Sequence, residues 1–296
     1  VVEMIEEIIN ITDQPIYIEM GNESWDIDHS VHFPTVEDFT DRVKAVYTAV
    51  KALDENIKIS VPVYEWAACE AAKTDPTASA QKARFALWND GILAASDYYD
   101  AVVIHRYSGP VSWEKKTTTQ IMNGFYDMML SDSEDLADLE EHFKGKEIWV
   151  TEFGDLPKFF SFSPSYGYYS PNDSKYYAIQ SESERNRLQY AKSVGNAVGY
   201  ATRLMNFLNT PKVSMASYHA FNDPQCFGVV QSELLLPNWY MFDKMGEVLK
   251  ESTHYYKLKT ESEESVRAYG FGSGNEIKTV VFSNLSNKPI SVELDD

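Results

Sequence analysis

Two kinds of apolar segment alternate along most of this chain, and this alternation constrains its fold more than any other feature. Short runs rich in β-forming residues are each followed by a longer segment with a helical period. The short runs are residues 16–20, 57–63, 101–104, 147–150 and 213–218, and the helical segments are residues 36–53, 78–95, 117–143, 182–208 and 238–250. Residues 1–11 add a first helix, and Thr35 with Asp38 resembles a capping pair at the start of the helix over residues 36–53. Strands that alternate with helices at this spacing predict a parallel α/β sheet with right-handed crossovers.

The pattern changes after the last of these helices. Short β segments are predicted at residues 255–258, 265–272, 279–284 and 290–294, with a turn at residues 286–289. We therefore predict two parts, an α/β part over residues 1–252 and a β-strand region over residues 253–296.

Charge and motif content exclude several classes of partner. The chain has 26 basic and 45 acidic residues and a net charge of −19, so it should repel nucleic acid and anionic lipid. No apolar run approaches the roughly 18 residues of a membrane-spanning helix. The sequence has no His-x-x-x-His pair, no Gly-x-Ser-x-Gly elbow and no phosphate-binding glycine loop. We therefore expect no metal and no cofactor, and a neutral partner fits best.

Polar side chains follow the predicted strands, one group after another. These residues are Asn22, Glu23, Glu65, His105, Tyr107, Glu152 and His219. The carboxyl ends of parallel strands share one edge of the sheet, so residues far apart in sequence converge there. Two glutamates, each at the end of its own strand, suggest a pair of carboxylates that act on one bond.

Two motifs make this suggestion specific. The sequence Gly21-Asn22-Glu23 after one strand and Thr151-Glu152-Phe153-Gly154 after another resemble the retaining glycoside hydrolases of clan A. In that clan the acid/base glutamate ends barrel strand four and the nucleophile ends strand seven, and the number of intervening strands matches here. The resemblance implies the C-terminal five βα units of a (β/α)8 TIM barrel, strands 4 to 8, followed by a small all-β, sandwich-like segment. Strands one to three are then expected to precede Val1.

The resemblance also implies roles for individual residues. Glu23 would be the acid and later the base, and Glu152 the nucleophile; retaining hydrolysis places such carboxyl groups about 5 to 5.5 Å apart. Asn22 would bind the sugar 2-hydroxyl, and Tyr107 or His105 would orient Glu152. A further group consists of Trp25, Glu65, Trp66 and His219. Two roles remain open for these residues, contact with the sugar and packing within a loop. The aromatic loop at residues 159–177 is either a cleft wall or a packed lid. The acidic run from Asp132 to Glu141 is interpreted as a solvated helix face without function.

The glycine before Asn22 resembles the α-L-arabinofuranosidase branch and also the agarase, porphyranase and glucuronidase-like relatives. We therefore predict a retaining glycoside hydrolase that acts on a plant or algal polysaccharide or oligosaccharide. The alternative is a non-catalytic, carbohydrate-binding remnant of a truncated hydrolase. A secreted or periplasmic location is expected, and the oligomeric state stays open.

Overall fold

The computed structural model describes residues 2–108, 118–155, 194–221, 228–231, 234–262, 265–286 and 288–293. Its α-helices are α1 (Val2–Ile11), α2 (Val36–Leu53), α3 (Trp66–Thr74), α4 (Ala80–Ala94), α5 (Thr118–His142), α6 (Val194–Leu208) and α7 (Pro237–Lys250). Its strands are β1 (Tyr17–Glu19), β2 (Lys58–Pro62), β3 (Ala101–Ser108), β4 (Glu147–Asp155), β5 (Val213–Tyr218), β6 (Val230–Gln231), β7 (Leu234–Leu235), β8 (His254–Leu258), β9 (Val266–Ser273) and β10 (Glu276–Asn284). Short 3-10 helices cover Ile27–His29 and Ser96–Tyr98.

The first five strands form one parallel sheet in the order β1-β2-β3-β4-β5, which confirms the predicted topology. In the register, Tyr17 pairs with Lys58, and Ser60 pairs with both Glu19 and Ala101. Strands β3 and β4 are longer than predicted, because regular pairing continues past the last apolar residue of each run. The polar residues expected to follow these strands therefore lie inside them.

The sheet is curled into a half-barrel. Lys58 on β2 forms an ion pair with Glu147 on β4, although β3 lies between the two strands. The rings of Tyr17 on β1 and Trp149 on β4 also meet edge to face, with centroids 5.5 Å apart. Side chains on non-neighbouring strands can meet only across a concave face. This curl confirms the prediction of a partial barrel.

Buried helix faces cover the outside of the sheet. Helix α2 begins with a capping box in which Thr35 and Asp38 satisfy each other's backbone amides, as the sequence predicted. Its apolar side chains join a core cluster with α1 and β2, made of Ile5, Val46, Val50, Ile57 and Ile59. Helix α3 was not predicted, because its alanine-rich sequence lacks an apolar period.

Helix α5 is a single helix of 25 residues, and it corrects one interpretation of the sequence. Asp132 and Asp135 are buried, whereas the acidic run was expected to be a solvated face. Asp132 is placed inside by two arginines that neutralise it, and charge density along a sequence cannot reveal such partners.

The C-terminal region forms an antiparallel sheet in the order β10-β9-β8, which confirms the all-β segment. This sheet is bonded to α6: the Thr202 hydroxyl donates to Ser283 Oγ at 2.7 Å, and the Tyr255 hydroxyl donates to the Met205 carbonyl at 2.7 Å. The strand predicted at residues 290–294 is absent from its described part, residues 290–293.

The chain divides into two compact units. The first comprises Val1–His105, Glu134–Thr151 and Lys212–Met215, and the second comprises Arg106–Ser133, Glu152–Pro211 and Ala216–Asp296. Strands β3, β4 and β5 run from the first unit into the second. Across the described residues, no helix combines the length and the apolar character needed to cross a membrane.

Candidate active site

In the first unit, a sharp turn after β1 presents Glu23. The Met20 amide still bonds the Ser60 carbonyl, and the chain then turns at Gly21, which has a φ of +78°. A Cβ on Gly21 would lie 2.6 Å from the hydroxyl oxygen of buried Ser24, so only glycine fits this position. Glu23 itself has a φ of +43°, a conformation that side chains other than glycine rarely adopt. Strain of this kind is concentrated at functional sites, which marks Glu23 for attention.

A buried arginine on α4 holds the loop that follows Glu23. The Arg84 guanidinium donates to the carbonyls of Ser24 at 2.5 Å, Phe33 at 2.9 Å and Pro34 at 3.0 Å. It also lies over the Trp88 ring. Burial lowers the pKa of Arg84, against a smaller opposing effect of Asp26. This side chain ties both ends of the loop to one point on α4.

His105 on β3 contacts the Glu23 carboxylate. Its Nδ1 lies 2.9 Å from Glu23 Oε1, and its Nε2 lies 3.6 Å from Glu19 Oε1. The imidazole is 5% exposed, whereas Glu23 remains 30% exposed and can reach a ligand. The sequence left open whether His105 or Tyr107 serves Glu152, and this geometry assigns His105 to Glu23.

In the second unit, Tyr107 contacts Glu152. The Tyr107 hydroxyl donates to Glu152 Oε2. The imidazole of His219 packs edge-on against the Tyr107 ring, with centroids 6.1 Å apart, and the His219 amide bonds the Phe153 carbonyl at 3.0 Å. The peptide bond from His219 to Ala220 is cis. Of the two side chains that the resemblance proposed as partners of Glu152, Tyr107 is therefore the one that bonds it, and its orienting role stays a prediction.

A buried charge cluster, which we call the Asp132 cluster, lies in the same unit. Arg203 donates to both carboxylate oxygens of Asp132, at 2.5 and 2.9 Å, and Arg106 donates to one of them at 2.8 Å. Arg203 also bonds the Gly154 carbonyl at 3.2 Å. Burial alone would raise the pKa of Asp132, but the two arginines hold it below its ordinary value. The cluster joins α5 and α6 to the segments of β3 and β4 that carry Tyr107 and Glu152.

The other predicted site residues have more varied surroundings. Asn22 is exposed, and Glu65 is half-buried at the start of α3, where its side chain does not cap the helix. The Trp25 ring packs on Tyr64 with centroids 4.4 Å apart and on Phe85 at 5.8 Å, and this aromatic group remains partly exposed. The Trp66 ring stacks on His142 with centroids 3.7 Å apart. One face of Trp66 is thus covered by protein, whereas Trp25 keeps some access to a ligand.

The aromatic loop predicted at residues 159–177 lies outside the described residues. Within the described part of the chain, no three His, Cys, Asp or Glu side chains are arranged to hold a metal ion. Burial raises the pKa of the Cys69 thiol to about 12, so this cysteine is a poor nucleophile.

Three residues contribute to this geometry although the sequence did not predict them as site residues. They are Glu19, Arg84 and Asp132. Glu19 had a detectable signal, because a carboxylate stands in a short apolar strand four residues before Glu23. Arg84 and Asp132 carried no such signal, because charged residues on helices are usually solvated.

No protein-family model matches the sequence, and no curated protein matches it either. Among solved structures, the family 51 α-L-arabinofuranosidase from Bifidobacterium longum is similar at a TM-score of 0.53 and 14% identity, covering 86% of this chain and 50% of that one. The family 51 α-L-arabinofuranosidase from Thermotoga petrophila is similar at a TM-score of 0.53 and 13% identity. The match covers 91% of this chain and 52% of that enzyme. A 4-O-α-L-rhamnosyl-β-D-glucuronidase from Fusarium oxysporum is similar at a TM-score of 0.53 and 10% identity. The match covers 98% of this chain and 62% of that enzyme.

These similarities concern the fold. The chain spans about half the length of the two arabinofuranosidases and 62% of the Fusarium enzyme. The fold of this chain is similar to the folds of these enzymes, which agrees with the fold expected from the two glutamate motifs.

Proposed function

We propose that this chain carries the two catalytic glutamates of a retaining glycoside hydrolase, with Glu23 as acid/base and Glu152 as nucleophile. One observation carries the proposal: each glutamate is contacted by a dedicated partner from β3, His105 for Glu23 and Tyr107 for Glu152. Both partners belong to β3, where they are two residues apart in sequence. The fold shared with glycoside hydrolases supports the same assignment.

The chemistry would proceed by double displacement. In the first step the Glu152 carboxylate attacks the anomeric carbon while Glu23 gives its proton to the glycosidic oxygen, so the C–O bond breaks and a neutral alcohol leaves. In the second step Glu23 takes a proton from water, and the resulting hydroxide displaces Glu152. The Tyr107 hydroxyl would keep the attacking carboxylate oriented. Asn22, exposed beside Glu23, would bind the sugar 2-hydroxyl.

For the substrate we propose a plant or algal polysaccharide or oligosaccharide. The glycine of the Gly21-Asn22-Glu23 motif favours an arabinofuranosidase-like or an agarase- or porphyranase-like enzyme. Arabinofuranosidases are also among the similar solved structures. The partly exposed Trp25, two residues after Glu23 in the sequence, offers an apolar ring that suits contact with a sugar ring.

The proposal is tested with Glu152→Gln and Glu23→Gln on aryl glycosides, after a screen of arabinan, agar, porphyran and xylan to find the substrate. Each substitution keeps the side-chain shape and removes the carboxyl function. Loss of the general acid should lower kcat by about 10² to 10⁴-fold, and loss of the nucleophile should lower it at least as much. Exposed Glu55, before β2, provides the matched control Glu55→Gln, which should retain full activity.

Two further measurements decide the mechanism. Proton NMR of the first product should show retained anomeric configuration, whereas inversion would contradict the assignment of Glu152. Carboxyl groups about 5 to 5.5 Å apart in an experimental structure agree with retention, and a distance beyond about 6.5 Å does not. Binding of an oligosaccharide without turnover is the result that the binding-remnant alternative predicts.

A further inference from the structure

One side of helix α4 bonds the backbone of the loop that follows β1. Gln81 Oε1, in the first turn of α4, accepts from the Ile27 amide at 2.7 Å, and Gln81 Nε2 donates to the Trp25 carbonyl at 3.3 Å. Arg84 donates to the Ser24 carbonyl at 2.5 Å. Gln81 and Arg84 are three residues apart, so they are neighbours on the helix surface. Helix α4 therefore bonds three of the four residues that follow the candidate acid/base glutamate.

The same segment is bonded to Glu23 through its own backbone. The Asp26 amide donates to the Glu23 carbonyl at 2.7 Å and closes a tight turn. The Asp26 side chain accepts from the Asp28 amide at 2.8 Å and caps the short 3-10 helix that follows. Asp26 lies between the two residues that Gln81 bonds. Gln81 thus holds both neighbours of the residue that bonds the Glu23 carbonyl.

The backbone conformation of Glu23 requires support of this kind. Its φ is +43°, and a left-handed conformation costs free energy in any residue that has a side chain. Such a conformation persists only where the surrounding structure enforces it. A general acid must also stay within hydrogen-bond reach of the atom that it protonates, and a displacement of about 1 Å already slows the reaction. Contacts that fix the φ of Glu23 therefore also fix the position of its carboxyl group.

Aromatic packing places the loop but does not orient its peptide groups. The Trp25 ring packs on Tyr64 and on Phe85, with centroids 4.4 and 5.8 Å apart. Ring packing of this kind has little preference for the direction of a backbone carbonyl or amide. The two Gln81 bonds have that preference, because one runs to a carbonyl and the other to an N–H.

We infer that Gln81 is a positioning residue for the acid/base catalyst: together with Arg84 it holds the turn after Glu23, which keeps Glu23 in its left-handed conformation and its carboxyl group in place for proton transfer. This inference rests on the proposed function for its catalytic meaning. Gln81 acts through the backbone of the loop and not on the substrate. Its loss should therefore slow the cleavage of leaving groups that need a proton from Glu23 and spare those that do not.

The kinetic test is Gln81→Leu in the full chain, which removes both hydrogen bonds of this side chain. It is assayed on two glycosides of the same sugar, one with an activated nitrophenyl leaving group and one with an alkyl alcohol. We expect kcat/KM to fall about tenfold for the alkyl glycoside and less than about twofold for the nitrophenyl glycoside, because only the alcohol needs protonation as it leaves. A change in sugar binding would affect both substrates equally.

Two controls separate positioning from other effects. Exposed Gln14, which precedes β1 and bonds Thr12 through its backbone amide, provides the matched variant Gln14→Leu, which should change neither value of kcat/KM. Ser283→Ala removes the bond between Thr202 and the C-terminal sheet, so it lowers stability and should leave the ratio of the two values unchanged. An unchanged ratio in Gln81→Leu would overturn the inference. If that variant does not fold, Gln81→Ala removes the same bonds without adding a branched apolar side chain, and the same ratio decides.

A second readout does not depend on activity. In NMR spectra of the full chain, the scalar couplings of Glu23 that depend on φ should indicate a positive φ in the wild type and a shift to negative φ in Gln81→Leu. A negative φ in the wild type, or a positive φ that persists in the variant, contradicts the inference. A wild-type chain without turnover on any glycoside would contradict the proposed function instead, and the couplings would still test whether Gln81 holds Glu23.

Discussion

Two side chains on β3, His105 and Tyr107, contact different glutamates although a single residue separates them. His105 contacts Glu23 in the first unit, and Tyr107 contacts Glu152 in the second. An imidazole can accept or donate a proton, which suits a glutamate that must change its protonation state. A phenol keeps its proton near neutral pH and donates a hydrogen bond to a carboxylate, which suits a glutamate that must stay ionised to attack. The chemistry of each partner thus matches the role proposed for its glutamate.

Tyr107→Phe tests this match at the level of one oxygen atom. The substitution removes the hydroxyl that donates to Glu152 and keeps the ring that packs against His219. A hydrogen bond to a charged group contributes about 1.5 to 3 kcal/mol, so kcat should fall by roughly 10- to 150-fold with little change in KM. The check is steady-state kinetics on an aryl glycoside. Tyr64→Phe, which changes another half-buried tyrosine, is the control, and an unchanged kcat in Tyr107→Phe would remove the orienting role.

At the scale of the element, β3 uses both of its faces. Successive side chains of a strand point to opposite sides, so Tyr107, which contacts Glu152, and the residue before it lie on different faces. That residue, Arg106, bonds Asp132 on α5. Alternation along a single strand therefore connects the candidate catalytic groups with the buried Asp132 cluster.

Asp132→Asn should destabilise the second unit strongly, because it removes the buried negative charge that contacts the two arginines of the cluster. Breaking a buried pair in this way costs about 3 to 5 kcal/mol of unfolding free energy, measured by chemical denaturation. Glu134→Gln, at an exposed position on the same helix, should change it by less than about 0.5 kcal/mol.

The contact between Asp132 and its two arginines also predicts that the unfolding free energy depends on pH. The pKa of Asp132 is lower in the folded chain than its ordinary value of 3.8. Its contribution to stability is therefore complete above that value and is lost as the pH falls through the lowered pKa. The difference in unfolding free energy between wild type and Asp132→Asn should accordingly shrink in acid. A difference that stays constant at low pH would contradict this account.

Arg84 performs a comparable structural role for the loop after β1. Arg84→Met should remove three hydrogen bonds to backbone carbonyls and lower the unfolding free energy by about 2 to 4 kcal/mol. Arg84→Lys should recover little, because an ammonium group lacks the planar fork that reaches several carbonyls at once. Lys82→Met, at an exposed site on the same helix, is the control for the change of charge. If Arg84→Met and Arg84→Lys both had the unfolding free energy of the wild type, the loop would not depend on Arg84.

At the scale of the whole molecule, the C-terminal sheet is bonded to a helix of the α/β part. The Thr202–Ser283 and Tyr255–Met205 hydrogen bonds connect it to α6, and both Thr202 and Ser283 are buried. Tyr255 also packs on Tyr269 and Phe271 within the sheet. The predicted boundary between residues 252 and 253 stays a prediction, because these contacts cross it.

Removal of residues 253–296 should therefore expose the buried face of α6 and destabilise the remainder. We expect the 1–252 fragment to aggregate or to unfold at a markedly lower temperature than the full chain, as measured by circular dichroism and light scattering. Ser283→Ala is a milder change than the truncation. It removes the hydrogen bond to Thr202 and should lower the unfolding free energy by about 1 kcal/mol. A soluble 1–252 fragment with an unchanged unfolding temperature would show that the two parts fold independently.

The sequence by itself determined the features that depend on neighbouring residues. Apolar periods predicted α2 and β5 at their observed bounds, Thr35 and Asp38 marked a helix start, and the motif around Glu23 indicated the fold. Each is legible because hydrophobic period, capping and tight turns involve residues a few positions apart.

Only the tertiary structure decided which distant side chains meet. It assigned His105 to Glu23 and Tyr107 to Glu152, and it brought Glu19 to the imidazole from another strand. It also buried Asp132, against the expectation from its acidic neighbours. These contacts depend on the curl and the strand order of the sheet, which join residues tens of positions apart. A charge is buried when such a partner offsets its desolvation, and nothing in the local sequence announces that partner.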